Sequence, residues 1–270
     1  MGYRKNRVGI NIYDSSSFLH LKESGRIANI ILMEMVEACK EGSTPRDLVN
    51  ISQRLMDKFK VKSAFLGFGG YPEPVCISYN EKIVHGIPND YMFKNGDVVS
   101  IDFGVIYKGH YSDNARTIIV GDIYSPHKEI LDLGKLAFSE GLAKAYSGST
   151  TGDIGCAIHN EILKVRETEA IDSPAKYKLY YKFQGHGIGN NLHESPPIPN
   201  IGYPNRGYLL EVGMCFCIEP VILYSSSNPI EIQTNFDGVI EINTNDGKPS
   251  SHYENQVYIS EAGPVILTQF

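Results

Sequence analysis

The chain has no Cys-x-x-Cys pair, no apolar run longer than the five residues Met214 to Ile218, and no excess of basic charge. Each absence removes a class of function. A membrane-spanning helix needs about twenty apolar residues, so none is expected. The charged start Tyr3-Arg4-Lys5-Asn6-Arg7 is not followed by an apolar stretch of signal-peptide length, and Asn6 stands where a myristoylation signal wants Ser or Thr. Lysine and arginine number 25 against 31 acidic residues, a net charge of -6, so no global positive field draws the chain to nucleic acid or anionic lipid. The cysteines Cys39, Cys76, Cys156, Cys215 and Cys217 are odd in number and scattered, which points away from a disulfide framework and from a thiolate zinc site. What is there is ordinary: 270 residues, 42% hydrophobic, with only 14 prolines, enough to bury about three quarters of the unfolded surface in one large domain or two small ones. The expectation is a soluble cytoplasmic protein with free thiols, no membrane anchor and no specific nucleic-acid partner.

Periodicity predicts two helix pairs. Ile27, Ile31, Met35 and Ala38 fall at helical spacing before a Gly42 stop, and Thr44-Pro45-Arg46-Asp47 supplies an N-cap, a first-turn proline and an acid for a second helix with the stripe Leu48, Ile51, Leu55 and Phe59. Ser125-Pro126 opens a third helix to about Tyr146, and a fourth carries Ile154, Ile158, Ile162 and Val165. The joints of the two pairs resemble each other at an offset of 106 residues, Gly42-Ser43-Thr44 to Asp47-Leu48 against Gly148-Ser149-Thr150 to Asp153-Ile154. Glycine-rich turns at Gly67 to Gly70 and Gly185 to Gly187 follow each pair. Two related halves packed as one domain are expected, with no linker between them.

Val98 to Tyr107 and Tyr111 to Val120 predict a hairpin turning near Lys108-Gly109, with Asp102 and Asp113 as cross-strand neighbours. Two carboxylates that close repel and raise each other's pKa unless a cation neutralises them; the alternative is a pair of exposed strand acids. Glu219 and Glu254 add two acids in apolar runs, where glutamate is rare unless paired or ligating. His186 sits among glycines that let a backbone or ligand approach, and His193 follows seven residues later. A lone histidine there is more often a hydrogen-bonded core residue. Taken together, four acids and an imidazole suit a pair of Mn, Fe, Co or Zn ions better than calcium or structural zinc.

In order and spacing, Gly70-Tyr71-Pro72, Val75-Cys76-Ile77-Ser78, Asn80-Glu81, His85-Gly86-Ile87-Pro88, Asp102 with Asp113, Gly185-His186-Gly187-Ile188-Gly189, His193-Glu194, Ile218-Glu219-Pro220 and Tyr253-Glu254 resemble the type I methionine aminopeptidases, from about Lys22 to Thr268. The resemblance implies an α+β pita-bread (creatinase/aminopeptidase) fold: two pseudo-symmetric halves with a curved antiparallel sheet covered by two helix pairs. It implies residues 1–21 as an N-terminal segment and 22–270 as a single catalytic domain. Asp102, Asp113, His186, Glu219 and Glu254 become the ligands of two divalent ions (Co, Mn, Fe or Zn), with Asp113 and Glu254 bridging. The activity implied is removal of N-terminal methionine from nascent polypeptides, by attack of a metal-bridging hydroxide, with a small second residue preferred and transient ribosome proximity. Glu219 also resembles a proton shuttle, while His193 and His85 resemble substrate contacts that need not touch metal.

Phe65, Phe68, Tyr71, Cys76 and Leu192 correspond to the methionine pocket, with departures. Phe65 stands where a rim cysteine is frequent and is expected to narrow the entrance; Phe68 replaces a tyrosine and Leu192 a phenylalanine. The chain has no tryptophan, Val239 follows Asp-Gly where an aromatic is common, and Asn255 follows the last ligand where histidine is frequent. The other readings are an Xaa-Pro aminopeptidase or proline dipeptidase, whose additional N-terminal domain has no room before Lys22, and a non-catalytic pita-bread binding protein, which typically loses ligands that are all present here.

Overall fold

Helix starts in this chain are written in side chains. The computed structural model describes residues 2–121, 127–167, 177–225, 228–236 and 238–269. Asp14 accepts the Ser16 and Ser17 amides at 3.0 Å each and opens α1 (Ser15–Ala38). At α2 (Pro45–Phe59), Thr44 and Asp47 form a reciprocal capping box with Pro45 at the first helical position. The same box precedes α4 (Thr151–Glu167): the Thr150 amide donates to Asp153 Oδ2 at 2.7 Å and the Asp153 amide to Thr150 Oγ1 at 3.3 Å. The sequence repeat is thus a repeated helix start. The expected opening of the third helix at Ser125-Pro126 lies outside the described residues. Its body, α3 (Lys128–Leu142), ends sooner than expected because the chain tightens into i→i+3 bonds, Lys144 to Gly141 and Ala145 to Leu142.

Eight strands form the main sheet: β1 (Cys76–Tyr79), β2 (Val98–Phe103), β3 (Asn114–Ile119), β4 (Gln184–Gly187), β5 (Glu194–Pro199), β6 (Cys215–Ile218), β7 (Glu254–Ser260) and β8 (Gly263–Ile266). They pair antiparallel in the order β5-β4-β6-β7-β3-β2-β1, with β8 also on β7. The β3–β7 contact, Glu254 opposite Ala115 and Asn255 opposite Asn114, joins the two halves. Period-two alternation sends one face of each strand to the helices. Val99, Ile101 and Phe103 pack with Ile27, Ile31, Met35 and Leu48 of α1 and α2, while Phe216, Ile218, Val257 and Ile259 pack with Ile130, Phe138, Ile154 and Ile158 of α3 and α4. Each such side chain contributes about 1.5–3 kcal/mol on burial. These two cores clamp the curled, half-barrel sheet so that its opposite, concave face is free for chemistry. The expected division between residues 21 and 22 falls inside α1. Ahead of it, Tyr13 is buried, accepts the Tyr258 hydroxyl on its carbonyl at 3.0 Å and donates its own to Glu194 at 2.8 Å. Among the described residues, no helix is long and apolar enough to cross a membrane.

Candidate active site

Strand register assembles the acids. Cys76 lies opposite Asp102, Asp102 opposite Ala115, and Ala115 opposite Glu254; Ile218 pairs with Asn255, so Glu219 leaves β6 beside Glu254. Asp102 and Asp113 are diagonal rather than direct neighbours. The hairpin breaks after Phe103, and its tip forms a separate pair, Val105–Tyr107 with His110–Tyr111, turning through Lys108 and Gly109, both at positive φ (47° and 80°).

His186 reaches the same place because its glycine neighbours let strands close in. A Cβ on Gly185 would meet the Cys217 carbonyl oxygen at 2.2 Å, and one on Gly187 the Ser195 carbonyl oxygen at 2.4 Å. His186 Nδ1 lies 3.0 Å from the Gly187 carbonyl, which can only accept, so Nδ1 carries the proton. Nε2 is left as a lone pair, 3.5 Å from Glu219 Oε1 and 3.8 Å from Asp113 Oδ2. A lone pair facing two carboxylates is repulsive unless a cation lies between them.

Burial, first of all, raises the carboxyls of Asp102, Asp113, Glu219 and Glu254 above the usual range. Neighbouring charge adds to this, from Glu254 on Asp113, from Asp102 on Glu219 and from Glu219 on Glu254. Burial also pushes His186 down to about 3, helped by His193. Asp102 Oδ1, Asp113 Oδ1 and Glu254 Oε1 are enclosed without a hydrogen-bond partner. Orphaned carboxylate oxygens and a neutral imidazole form a donor set that divalent cations complete. Donor atoms of His186, Cys217 and Glu254, and separately of Asp102, His252 and Glu254, lie within 4.8 Å of one another.

That electrostatic strain sets a pH dependence. Native carboxyl pKa values raised above the unfolded values of about 4 contribute their full stability to the metal-free protein below that pH, and the contribution is lost as pH rises through the native values. Metal requires the deprotonated ligands, so the stabilisation on adding Mn2+, read as a rise in Tm, is expected to grow between pH 5 and 8 and amounts to about 2.7 kcal/mol where Mn2+ is in hundredfold excess over Kd. Melting curves with Mn2+ and with chelator across that range check this; a shift independent of pH would contradict it.

Beside the carboxylates opens a cavity of about 520 Å³ into which Phe65, Phe68, Tyr71, Cys76, Leu192, His85 and His193 all face, together with Val239. Phe65 lies deeper than expected, only 6% exposed, whereas Phe68 is 46% exposed and meets the His193 ring edge-on at 4.9 Å. Phe65 is therefore wall and Phe68 mouth. The Tyr71 hydroxyl donates to the Gly86 carbonyl at 2.9 Å, fixing the turn where His85 holds φ of 61°. His193 lies 4.2 Å from His186, ring to ring. Its loop is clamped by Glu194, which accepts from the Asn190 and Asn191 amides, the Tyr13 hydroxyl and Asn11.

Sequence reasoning missed three contributors. Arg116 donates to the carbonyls of Ala115 and Glu254 at 2.8 and 2.6 Å and to Asn255 Oδ1 at 2.7 Å, over the Tyr253 ring at 4.5 Å, so Asn255 serves as its partner. Cys217 and His252 face the acids; period-two spacing from Glu219 and Glu254 was the available signal.

Curled sheet, paired helices and carboxylate cluster define a metal-dependent hydrolase of the pita-bread class, and comparison with known proteins agrees. The chain belongs to metallopeptidase family M24, whose profile matches residues 20–261. Within it the chain is similar to the methionine aminopeptidase of Clostridium perfringens, 37% identical over 248 residues that cover 92% of this chain and 94% of the relative. The crystal structure of methionine aminopeptidase from Thermotoga maritima superposes with a TM-score of 0.88 at 31% identity, covering 97% of this chain and all (100%) of that one. The prolidase from Pyrococcus horikoshii shares the fold, with a TM-score of 0.72 at 22% identity, 96% of this chain and 63% of that one.

Proposed function

We propose that the chain removes N-terminal methionine from peptides and nascent proteins, preferring a small second residue, with two ions of Co, Mn, Fe or Zn held by Asp102, Asp113, His186, Glu219 and Glu254. One observation carries this: five donors, three of them with a carboxylate oxygen that has no hydrogen-bond partner, stand at the wall of an apolar cavity, in a chain 37% identical to a methionine aminopeptidase. Bound divalent ions supply Lewis-acid polarisation of the scissile carbonyl and activation of water. The residues do the rest. Glu219, whose carboxyl is pushed well above the usual range by burial and by Asp102, takes a proton from the attacking water and returns it to the departing amine. His193, beside His186, faces the developing oxyanion, and His85 the scissile amide nitrogen. Phe65, Phe68, Tyr71, Cys76 and Leu192 surround the thioether side chain and exclude water. The substrate is met in the cytoplasm, close to the ribosome.

Incubating the metal-loaded protein with Met-Ala-Ser and with an Ala-Pro peptide tests the proposal. Free methionine from the first and no cleavage of the second are expected; the reverse would mean an Xaa-Pro aminopeptidase, and no cleavage of either a binding scaffold. A methylene in such a pocket is worth about 1–3 kcal/mol, so N-terminal norleucine is expected to be a fair substrate and leucine a poorer one, by about 10- to 200-fold in kcat/KM. Phe65→Cys is expected to tighten bulky pocket-directed inhibitors more than it alters Met-Ala-Ser hydrolysis, which inhibition constants measured on both proteins would decide.

A further inference from the structure

The cluster contains a second imidazole that the five-ligand scheme leaves idle. His252 is 2% exposed, and its Nε2 is enclosed with no hydrogen-bond partner. It is aimed, not merely nearby. The His252 amide donates to Thr117 Oγ1 at 2.8 Å and its carbonyl accepts the same hydroxyl at 2.9 Å, while Phe183 stands edge-on to the ring at 5.7 Å.

His252 Nε2 is 3.4 Å from Glu219 Oε2 and 3.6 Å from Glu254 Oε2. These separations are too long for a charge-assisted hydrogen bond, which closes to about 2.7–2.9 Å. They match the spacing of two ligands on one ion: metal–donor bonds of about 2.0–2.2 Å in tetrahedral array put donors roughly 3.3–3.6 Å apart. His186 keeps a similar distance, 3.5 Å, from the other oxygen of Glu219. The donors fall into two groups sharing Glu254, one with His186 and Cys217, the other with Asp102 and His252. Each group has one imidazole.

We propose that His252 is a sixth metal ligand, binding through Nε2 at the subsite of Asp102 and Glu254. The proposal rests on the two-ion centre described above. An all-carboxylate subsite suits Mn or Mg, whereas an added imidazole shifts preference toward Zn, Co or Fe. His252 thereby tunes which ion completes the centre.

Co2+ titration of the full-length protein, followed by calorimetry and by proton NMR of the paramagnetically shifted, solvent-exchangeable imidazole N–H signals, tests this. Two such signals are expected at two equivalents, one from His186 and one from His252. His252→Gln, which keeps a hydrogen-bond donor but loses the ligand, is expected to remove one signal and weaken the second equivalent at least about tenfold, the first remaining unchanged. A single shifted signal in the parent with two ions bound would overturn the proposal whatever the variant does. Unchanged second-ion affinity in His252→Gln would overturn it too, leaving His252 a hydrogen-bond partner of Glu219. Failure of the parent to bind Co2+ at all would overturn the metal centre itself, and this inference with it.

Discussion

Replacing Glu254 by glutamine is expected to abolish tight binding of the second ion and to lower kcat/KM on Met-Ala-Ser by at least about a thousandfold. Glu254 is common to both donor groups, is 1% exposed, and has one oxygen with no partner in the protein. In the proposed two-ion centre, a neutral amide there removes a buried charge that both cations share, without opening space for water to replace it. Metal activation is worth several kcal/mol of transition-state stabilisation, and about 1.4 kcal/mol is a factor of ten. Asp113→Asn is expected to behave alike, since Asp113 is 4% exposed and faces Glu254, Asp102 and Glu219. Calorimetry beside steady-state kinetics measures both effects. Variants that bind two ions as tightly as the parent would remove Asp113 and Glu254 from the bridging role.

Alanine at His193 or at His85 is expected to give the opposite pattern: full metal content with turnover reduced by roughly two to four orders of magnitude, the range for a positioned proton-transfer or oxyanion group. The His193 ring touches His186 at 4.2 Å and the mouth residue Phe68 edge-on at 4.9 Å, on the cavity side of the acids. Its position is set from behind by Glu194 and Tyr13, so the loop keeps its shape when the ring is removed. Metal analysis of purified His193→Ala against its kcat distinguishes the two kinds of residue. Loss of metal in that variant would make His193 part of the ion site.

Local signals were legible wherever one short stretch determines the outcome. The Thr44/Asp47 and Thr150/Asp153 boxes mark helix starts because the capping bonds close within four residues. Alternation in Val98 to Phe103 already separates Val99, Ile101 and Phe103 from Ser100 and Asp102. The stripe beginning at Ile27 marks only the second half of α1, whose first half runs from Ser15 through Gly25. Position 25 carries glycine because the Leu267 carbonyl packs against it, 2.3 Å from where a Cβ would be. That contact comes from the far end of the chain. The diagonal offset of Asp102 and Asp113 depends on where the hairpin breaks, and Phe65 and Phe68 exchange depth through the turn at Gly67, Gly69 and Gly70, all at positive φ. His252 escaped notice for a similar reason. Period-two spacing from Glu254 marks its face, but its place beside Glu219 comes from the pairing of His252 with Val221, a partner distant in sequence.

In the proposed function, carboxylates from both halves form one metal centre that releases N-terminal methionine. The most direct test is the intact mass of two purified reporter proteins, one beginning Met-Ala and the other Met-Leu, after incubation with the metal-loaded enzyme and with the same enzyme plus chelator. The predicted result is loss of one methionine from the Met-Ala reporter alone, and only without chelator. An unchanged Met-Ala reporter, removal that survives chelation, or trimming that continues past the first residue would contradict the account.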